Sequence, residues 1–366
     1  MRDASVLTAT PPPVLLHLGD DAHGVDRYAR TVARAVADVD PRVELRLFDP
    51  ATLDGDATAG PDAVALLPRV HVQFTDRLWG RDPEHAAARI EALARRTRVF
   101  VTLHDLPQTS DGPTRLPRRL GCYRRVVAAA TAVVCNSEHE RTLLNELTTD
   151  APSTIAPTTT AVVPLPVPTA ATAPEPGTWR SDGSVAVLGF FYPGKGHREV
   201  VDAVAHLARA GTVDPVPPVV ALGRASAGHE GELAELAALA NERGVAFSST
   251  GFLSDADLVA RSRSAAVPVI AHQHVSASGS LTDWIAAGRR PLVPDSGYFR
   301  EMADLRPGTT TPVPAADLPA AIAHALANPA STWQHARAVT RPDLADTARS
   351  HLALWAADAA TSGPEA

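Results

Sequence analysis

"VAVLGFFYPGKGHREVVDAVAHL", Val185–Leu207, opens with an apolar run, passes through a turn with glycines and one lysine, and continues with apolar residues at helical spacing. It reads as a buried strand, a loop and an amphipathic helix. A junction of this kind offers unpaired backbone N–H groups and the positive end of a helix dipole, so it suits an anion. In the pattern Gly194-Lys195-Gly196, the lysine adds a point charge to a flexible turn. The alternative is a solvent lysine in an ordinary turn.

Working outward, the same alternation recurs. After helix His197–Ala210 come strand "PVVALG", helix "EGELAELAALANERG", strand "VAFSSTGF" and helix "SDADLVARSRSA". Strand "AVPVIAH", helix "LTDWIAAG" and strand "RPLVP" complete the series. Upstream, "VLLHLG" (Val14–Gly19) is a strand, and "GVDRYARTVARAVADV" places Val25, Tyr28, Val32, Ala35 and Val36 on one face. "VELRLF", "VALL", "VHVQF" and "VFVTLHD" read as strands. "DPEHAAARIEALARRT" is a helix with Asp82 as N-cap and Pro83 at its first position. "TAVVCNS" leads through a capping box, Ser137-Glu-His-Glu, into another helix. Between the two series, Ala151–Pro176 is rich in Pro, Thr and Ala, broken by "AVVPLPVP", an edge strand.

Two such series predict an α/β chain with two doubly wound parallel-sheet domains. The expected bounds are an N-terminal domain 1–168, a linker 169–182, a C-terminal domain 183–340 and a terminal segment 341–366. Ligands of such sheets lie beyond the carboxyl ends of the strands, and two facing domains would place a site in the cleft between them.

Composition narrows the function. The chain has 366 residues, 45% hydrophobic, with net charge −7, which argues against nucleic acid as a partner. No apolar run reaches the length of a membrane span, and "MRDASVLTATPPP" reads as a disordered tail without a signal pattern. Two cysteines, Cys122 and Cys135, do not make a disulfide framework, so a cytoplasmic setting is expected. "PTRLPRRLGCYRRVV" (Pro113–Val127) is the one arginine cluster: a solvated helix face, or a patch that holds a phosphate or touches a membrane surface.

Other candidates lie at strand ends. Gly24 closes the glycine loop "GDDAHG" before the first helix, where backbone can approach a phosphate. His104 ends the buried run Val99–Leu103 and, with Asp105, could orient sugar hydroxyls or meet a developing charge; a core histidine bonded to backbone is the alternative. In "HQHVSASGSLTDWIAAG", Ser278, Gly279 and Ser280 sit where a helix should begin, and Asp283 lies in its first turn. That carboxylate could accept from vicinal ribose hydroxyls or serve as a helix-dipole partner. His272 and His274 lack a third ligand nearby, so no metal site is read.

Seven segments in order resemble family 4 glycosyltransferases, which have the GT-B fold: "GVDRYARTVARAV", "VTLHDLP", "VVCNSEHERTLL", "VPLPV", "VLGFFYPGKGH", "TGFLSDADLVA" and "DWIAAGRRPLVP". The resemblance covers most of the chain. It implies retaining transfer of a hexose from a nucleotide sugar (UDP- or GDP-linked) without a metal or other cofactor. The acceptor class, small molecule, glycolipid or glycan, is left open. Carried over, His104 and Asp105 are the catalytic candidates, with His104 near the donor sugar. Lys195, Gly194, Gly196, Gly279, Ser280, Leu281 and Gly24 attend the diphosphate, Gly251, Phe252 and Leu253 border the base, and Asp283 takes the ribose. The C-terminal helix would pack back on the N-terminal domain. Two positions depart from the family: Phe190 replaces an arginine, and Val275 replaces the first glutamate of the family's pair, unless His274 or Ser276 substitutes for it. A non-catalytic GT-B-like partner subunit is therefore the competing reading.

Overall fold

The computed structural model describes residues 10–20, 23–54, 67–149, 159–171 and 178–361. The chain divides into two units, Met1–Leu165 with Leu344–Ala366, and Pro166–Asp343. The tail 1–9, most of "VALL" and much of the Pro-rich boundary segment lie outside the described residues.

The first unit holds strands β1 Val14–His17, β2 Leu45–Leu47, β3 Arg69–Phe74, β4 Arg98–Leu103, β5 Ala132–Cys135 and β6 Thr159–Val162. They pair in parallel in the order β2-β1-β3-β4-β5-β6. Parallel pairing requires crossovers, and helices Gly24–Ala37, Pro83–Ala94, Gly112–Ala129 and Glu138–Thr149 supply four of the five; the connection from β2 to β3 runs partly outside the described residues. Strands β3, β4 and β5 are buried on both faces, which is why they read as nearly continuous apolar runs. Asp82 Oδ1 accepts from the His85 amide at 2.8 Å, and Ser137 Oγ accepts from the Glu140 amide at 2.9 Å.

Helix Leu344–Thr361 belongs to this unit. Its Ala348, Leu354 and Trp355 share a buried cluster with Val32, Val36 and Phe100. The Trp355 indole donates to His71 Nδ1 at 3.0 Å, and His71 Nε2 meets Thr102 Oγ1 at 2.8 Å, so a polar bridge runs through the apolar contact. Asp358 pairs with Arg98 at 2.5 Å.

The second unit holds β7 Val185–Leu188, β8 Val219–Leu222, β9 Phe247–Ser249, β10 Val267–Val269, β11 Leu292–Pro294 and β12 Thr311–Val313, in the order β12-β11-β10-β7-β8-β9. The series therefore does not end at "RPLVP": helix Gly297–Leu305 and β12 extend it. Strand β12 is three residues long and only partly buried, too short to show an alternating pattern in the sequence. Among the described residues no helix is long and apolar enough to cross a membrane.

In each sheet the chain reverses its direction of growth once, between β1 and β3 in the first and between β7 and β10 in the second. The crevice beyond the carboxyl ends at such a reversal is where doubly wound sheets hold ligands.

The arginine cluster is not a solvated face throughout. Arg119 is 2% exposed and donates to Asp76, Asp105 and Asp111. Arg118 and Arg125 are bound by Glu84 and Glu91, and Arg124 donates to the Leu147 carbonyl. Pairing across the unit, invisible to local sequence, consumes four of the five guanidiniums.

Candidate functional site

In the second unit the loops after β7 and β10 lie side by side at the reversal. Gly194 and Gly196 have φ of +90° and +98°, in the left-handed region that favours glycine. A Cβ on Gly196 would sit 2.2 Å from the Ala271 carbonyl oxygen, so no side chain fits there. The Gln273 amide donates to the Gly194 carbonyl at 3.0 Å and ties the two loops together.

This backbone path turns Lys195 inward. Its side chain is 6% exposed, and Nζ donates to Ser280 Oγ at 2.8 Å. The ammonium also lies 5.9 Å from the Tyr192 ring centroid. Burial pulls the Lys195 pKa down to about 8, against the opposing pull of Asp283. Burial likewise lowers His197 to about 3 and holds His272 well below its usual value, with the Lys195 charge adding to both shifts. Two neutral imidazoles thus lie within electrostatic reach of one buried cation. Both His197 ring nitrogens and His272 Nε2 are buried without a hydrogen-bond partner among the described residues. The sequence reading did not single out His197, although it directly follows Gly196.

Helix Gly279–Ala286 begins beside the lysine. Ser278 is its N-cap, with Oγ accepting from the Leu281 amide at 3.3 Å, so that amide is already engaged. The Gly279 and Ser280 amides, by contrast, have no acceptor among the described residues. Because the helix starts at Gly279 rather than Leu281, Asp283 is its fifth residue, beyond the first turn where the sequence reading put it. Asp283 still acts electrostatically on Lys195. Val275 packs against the apolar cluster that holds Leu281 and Trp284, so no carboxylate occupies that position.

Gly251, Phe252 and Leu253 follow β9, at the edge of the sheet and two strands from β7. Gly251 has φ of +70°, Leu253 packs on the Leu281–Trp284 cluster, and Phe252 stands 70% exposed. The structure brings Lys195 and Ser280 into contact; it leaves Phe252 as a free aromatic face.

In the first unit Gly24 opens its helix behind the N-cap His23, whose Nδ1 accepts from the Val25 amide at 3.2 Å. A Cβ at Gly24 would meet nothing within 4 Å, so the position faces open space. His104 immediately follows β4; its amide donates to the Phe74 carbonyl at 2.8 Å, and Nε2 meets Gln73 Oε1 at 2.8 Å. Burial lowers its pKa to about 3, so the imidazole is neutral across the physiological range. Asp105 has φ of +53°, and its carboxylate, 64% exposed, pairs with Arg119 at 2.9 Å. That residue is therefore engaged by a buried cation.

No family model matches the sequence, and no curated protein matches it significantly. Solved structures do match in fold. A sucrose-phosphate synthase from Thermosynechococcus elongatus superposes with a TM-score of 0.64 at 17% identity, covering 96% of this chain and 97% of that one. The HepE protein of Anabaena, in complex with UDP and glucose, gives 0.62 at 14% identity, over 95% and 96%. The pneumococcal O-GlcNAc transferase GtfA, in complex with UDP and GlcNAc, gives 0.51 at 14%, over 80% of this chain and 56% of that one. With its two parallel six-stranded sheets and flanking helices, the chain has the GT-B fold.

Proposed function

We propose that the protein is a nucleotide-sugar glycosyltransferase, moving a hexose from UDP or GDP to an acceptor, with retention at the anomeric carbon. The observation that carries this reading is the buried Lys195 ammonium, bonded to a neutral hydroxyl beside two unused helix N-terminal amides. Burying an ammonium without a paired anion is costly. A diphosphate would supply the missing negative charge, and the amides and helix dipole would share it. The UDP held by HepE and by the pneumococcal transferase, which share this fold, supports a nucleotide as the ligand.

In this reading, Gly194, Gly196, Gly279 and Ser280 let the diphosphate approach, Asp283 takes the ribose, and Phe252 offers a face to the base. Donors held at the leaving diphosphate stabilise the charge that develops as the glycosidic bond breaks. His104, being neutral, hydrogen-bonds the transferred sugar rather than countering charge. The reaction is expected in the cytoplasm, where nucleotide sugars are made available to soluble transferases.

Val275 favours one competing reading, a non-catalytic relative that binds nucleotide or a partner without transfer, because an apolar side chain stands where a sugar-contacting carboxylate would act. Calorimetric titration with UDP, GDP and ADP, followed by hydrolysis assays on the matching nucleotide sugars, tests both. Binding with slow hydrolysis supports the transferase; binding without turnover of any donor supports the non-catalytic relative; no nucleotide binding refutes the site.

A further inference from the structure

The first sheet's own reversal point, between β1 and β3, is left without a ligand by this reading. The segment after β3 borders a cavity of about 350 Å³, within the range of small-molecule sites. Its charged lining is Asp76, Arg77, Arg81, Asp82, Arg115 and Arg118.

Most of these charges are already matched. Asp76 Oδ1 accepts from Arg119 at 3.1 Å, and Arg118 is held by Glu84 through two bonds of 2.8 and 2.7 Å. Asp82 caps the following helix and lies 3.5 Å from Arg81. Arg77 and Arg115 differ: among the described residues neither donates a hydrogen bond nor pairs with a carboxylate. Two guanidiniums with their forks of donors thus line one cavity whose carboxylates are spent elsewhere. The charge of Arg77 also acts on His23 and on Asp105, so this one lining side chain lies within electrostatic reach of the loops that carry Gly24 and His104.

We propose that this cavity binds the phosphoryl group of a second substrate, clamped by Arg77 and Arg115, so that the acceptor is a phosphorylated molecule. The guanidinium fork matches phosphate oxygens two at a time, which gives orientation as well as attraction. That the ligand is the acceptor rests on the transferase reading; that it carries a phosphate rests on the cavity alone. Phosphate binding then gives a role to Arg115, the one guanidinium of the Pro113–Val127 cluster with neither a carboxylate nor a carbonyl partner among the described residues.

The test uses the full chain carrying Lys195→Met, which removes the buried cation of the second unit. Glucose 6-phosphate, glucose and inorganic phosphate are titrated by calorimetry. Vesicles of phosphatidylcholine, with and without phosphatidic acid, are tested by flotation. Glucose 6-phosphate should bind at least about tenfold more tightly than glucose, and Arg77→Gln or Arg115→Gln should each weaken it about tenfold or more. Arg115→Lys, which keeps the charge but loses the fork, should retain part of the affinity. Binding of the phosphatidic acid vesicles but not glucose 6-phosphate, with the same arginine dependence, would assign the phosphate to a lipid headgroup. If neither phosphorylated probe binds, or if folded Gln variants bind as well as their parent, the proposal falls. UDP titration of the unmodified chain reports separately on the donor site.

Discussion

Replacing Lys195 with methionine should stabilise the unliganded protein while damaging nucleotide binding. The two effects have opposite signs because burial disfavours the ammonium of the unliganded protein by more than Asp283 offsets. Folding lowers its pKa from 10.5 to about 8. At 1.36 kcal/mol per unit, the native state carries a penalty of order 3 kcal/mol for the charged form. Losing the Nζ–Ser280 bond gives back about 1 kcal/mol, and methionine keeps most of the packed volume. The net gain is roughly 2 kcal/mol at pH 7, read as a rise of a few degrees in the apo melting temperature. The sign follows from linkage: the unfolded chain holds more protons than the native one between about pH 8 and 10.5. The penalty is therefore complete below pH 8, fades between those values, and is absent above them, and the variant's advantage should follow the same course. Against this, losing a charged hydrogen bond to a diphosphate should cost about 1.5–3 kcal/mol, some 10- to 150-fold in Kd for UDP. Scanning fluorimetry and calorimetry on both proteins provide the assay. A methionine variant that is less stable than wild type at pH 7 and equally tight for UDP would refute the reasoning.

Other outcomes follow from the same geometry. Affinity for a nucleotide sugar should be flat up to about pH 7.5 and then fall, approaching tenfold per unit, as free Lys195 loses its proton near 8; calorimetry should record proton uptake on binding. His197 and His272 stay neutral throughout and add no inflection. His104→Ala should lower kcat at least about tenfold with little change in nucleotide affinity, and the wild-type rate profile should lack a histidine step near pH 6.5 because His104 titrates near 3. Asp283→Ala should abolish any preference for ribonucleotides over dideoxyribonucleotides, and Asp283→Asn should lose only part of it.

Much of the fold was legible before any coordinates. Val185–Leu207 gave strand, loop and helix within a few residues of their observed bounds, because a buried parallel strand must be continuously apolar and a crossover helix must be amphipathic. Short, half-exposed β12 lacked that signal. The Lys195 loop was legible for a similar reason: glycines on both sides of a lysine mark a backbone that must bend sharply. What the lysine touches was not, since Ser280 is 85 residues away in sequence and meets it only because β7 and β10 are neighbours. The same limit hid Arg119. Its charge invited a surface reading, but carboxylates from three separate segments surround it inside the first unit. Local chemistry, then, marked which residues were candidates; the order of strands decided which of them meet.

The most direct test of the diphosphate site is a crystal structure of the protein with UDP. The account predicts a phosphate oxygen within about 3 Å of Lys195 Nζ, with the Gly279 and Ser280 amides directed at the same group and the ribose beside Asp283. UDP bound elsewhere, or a Lys195 still bonded only to Ser280 with nucleotide present, would contradict it.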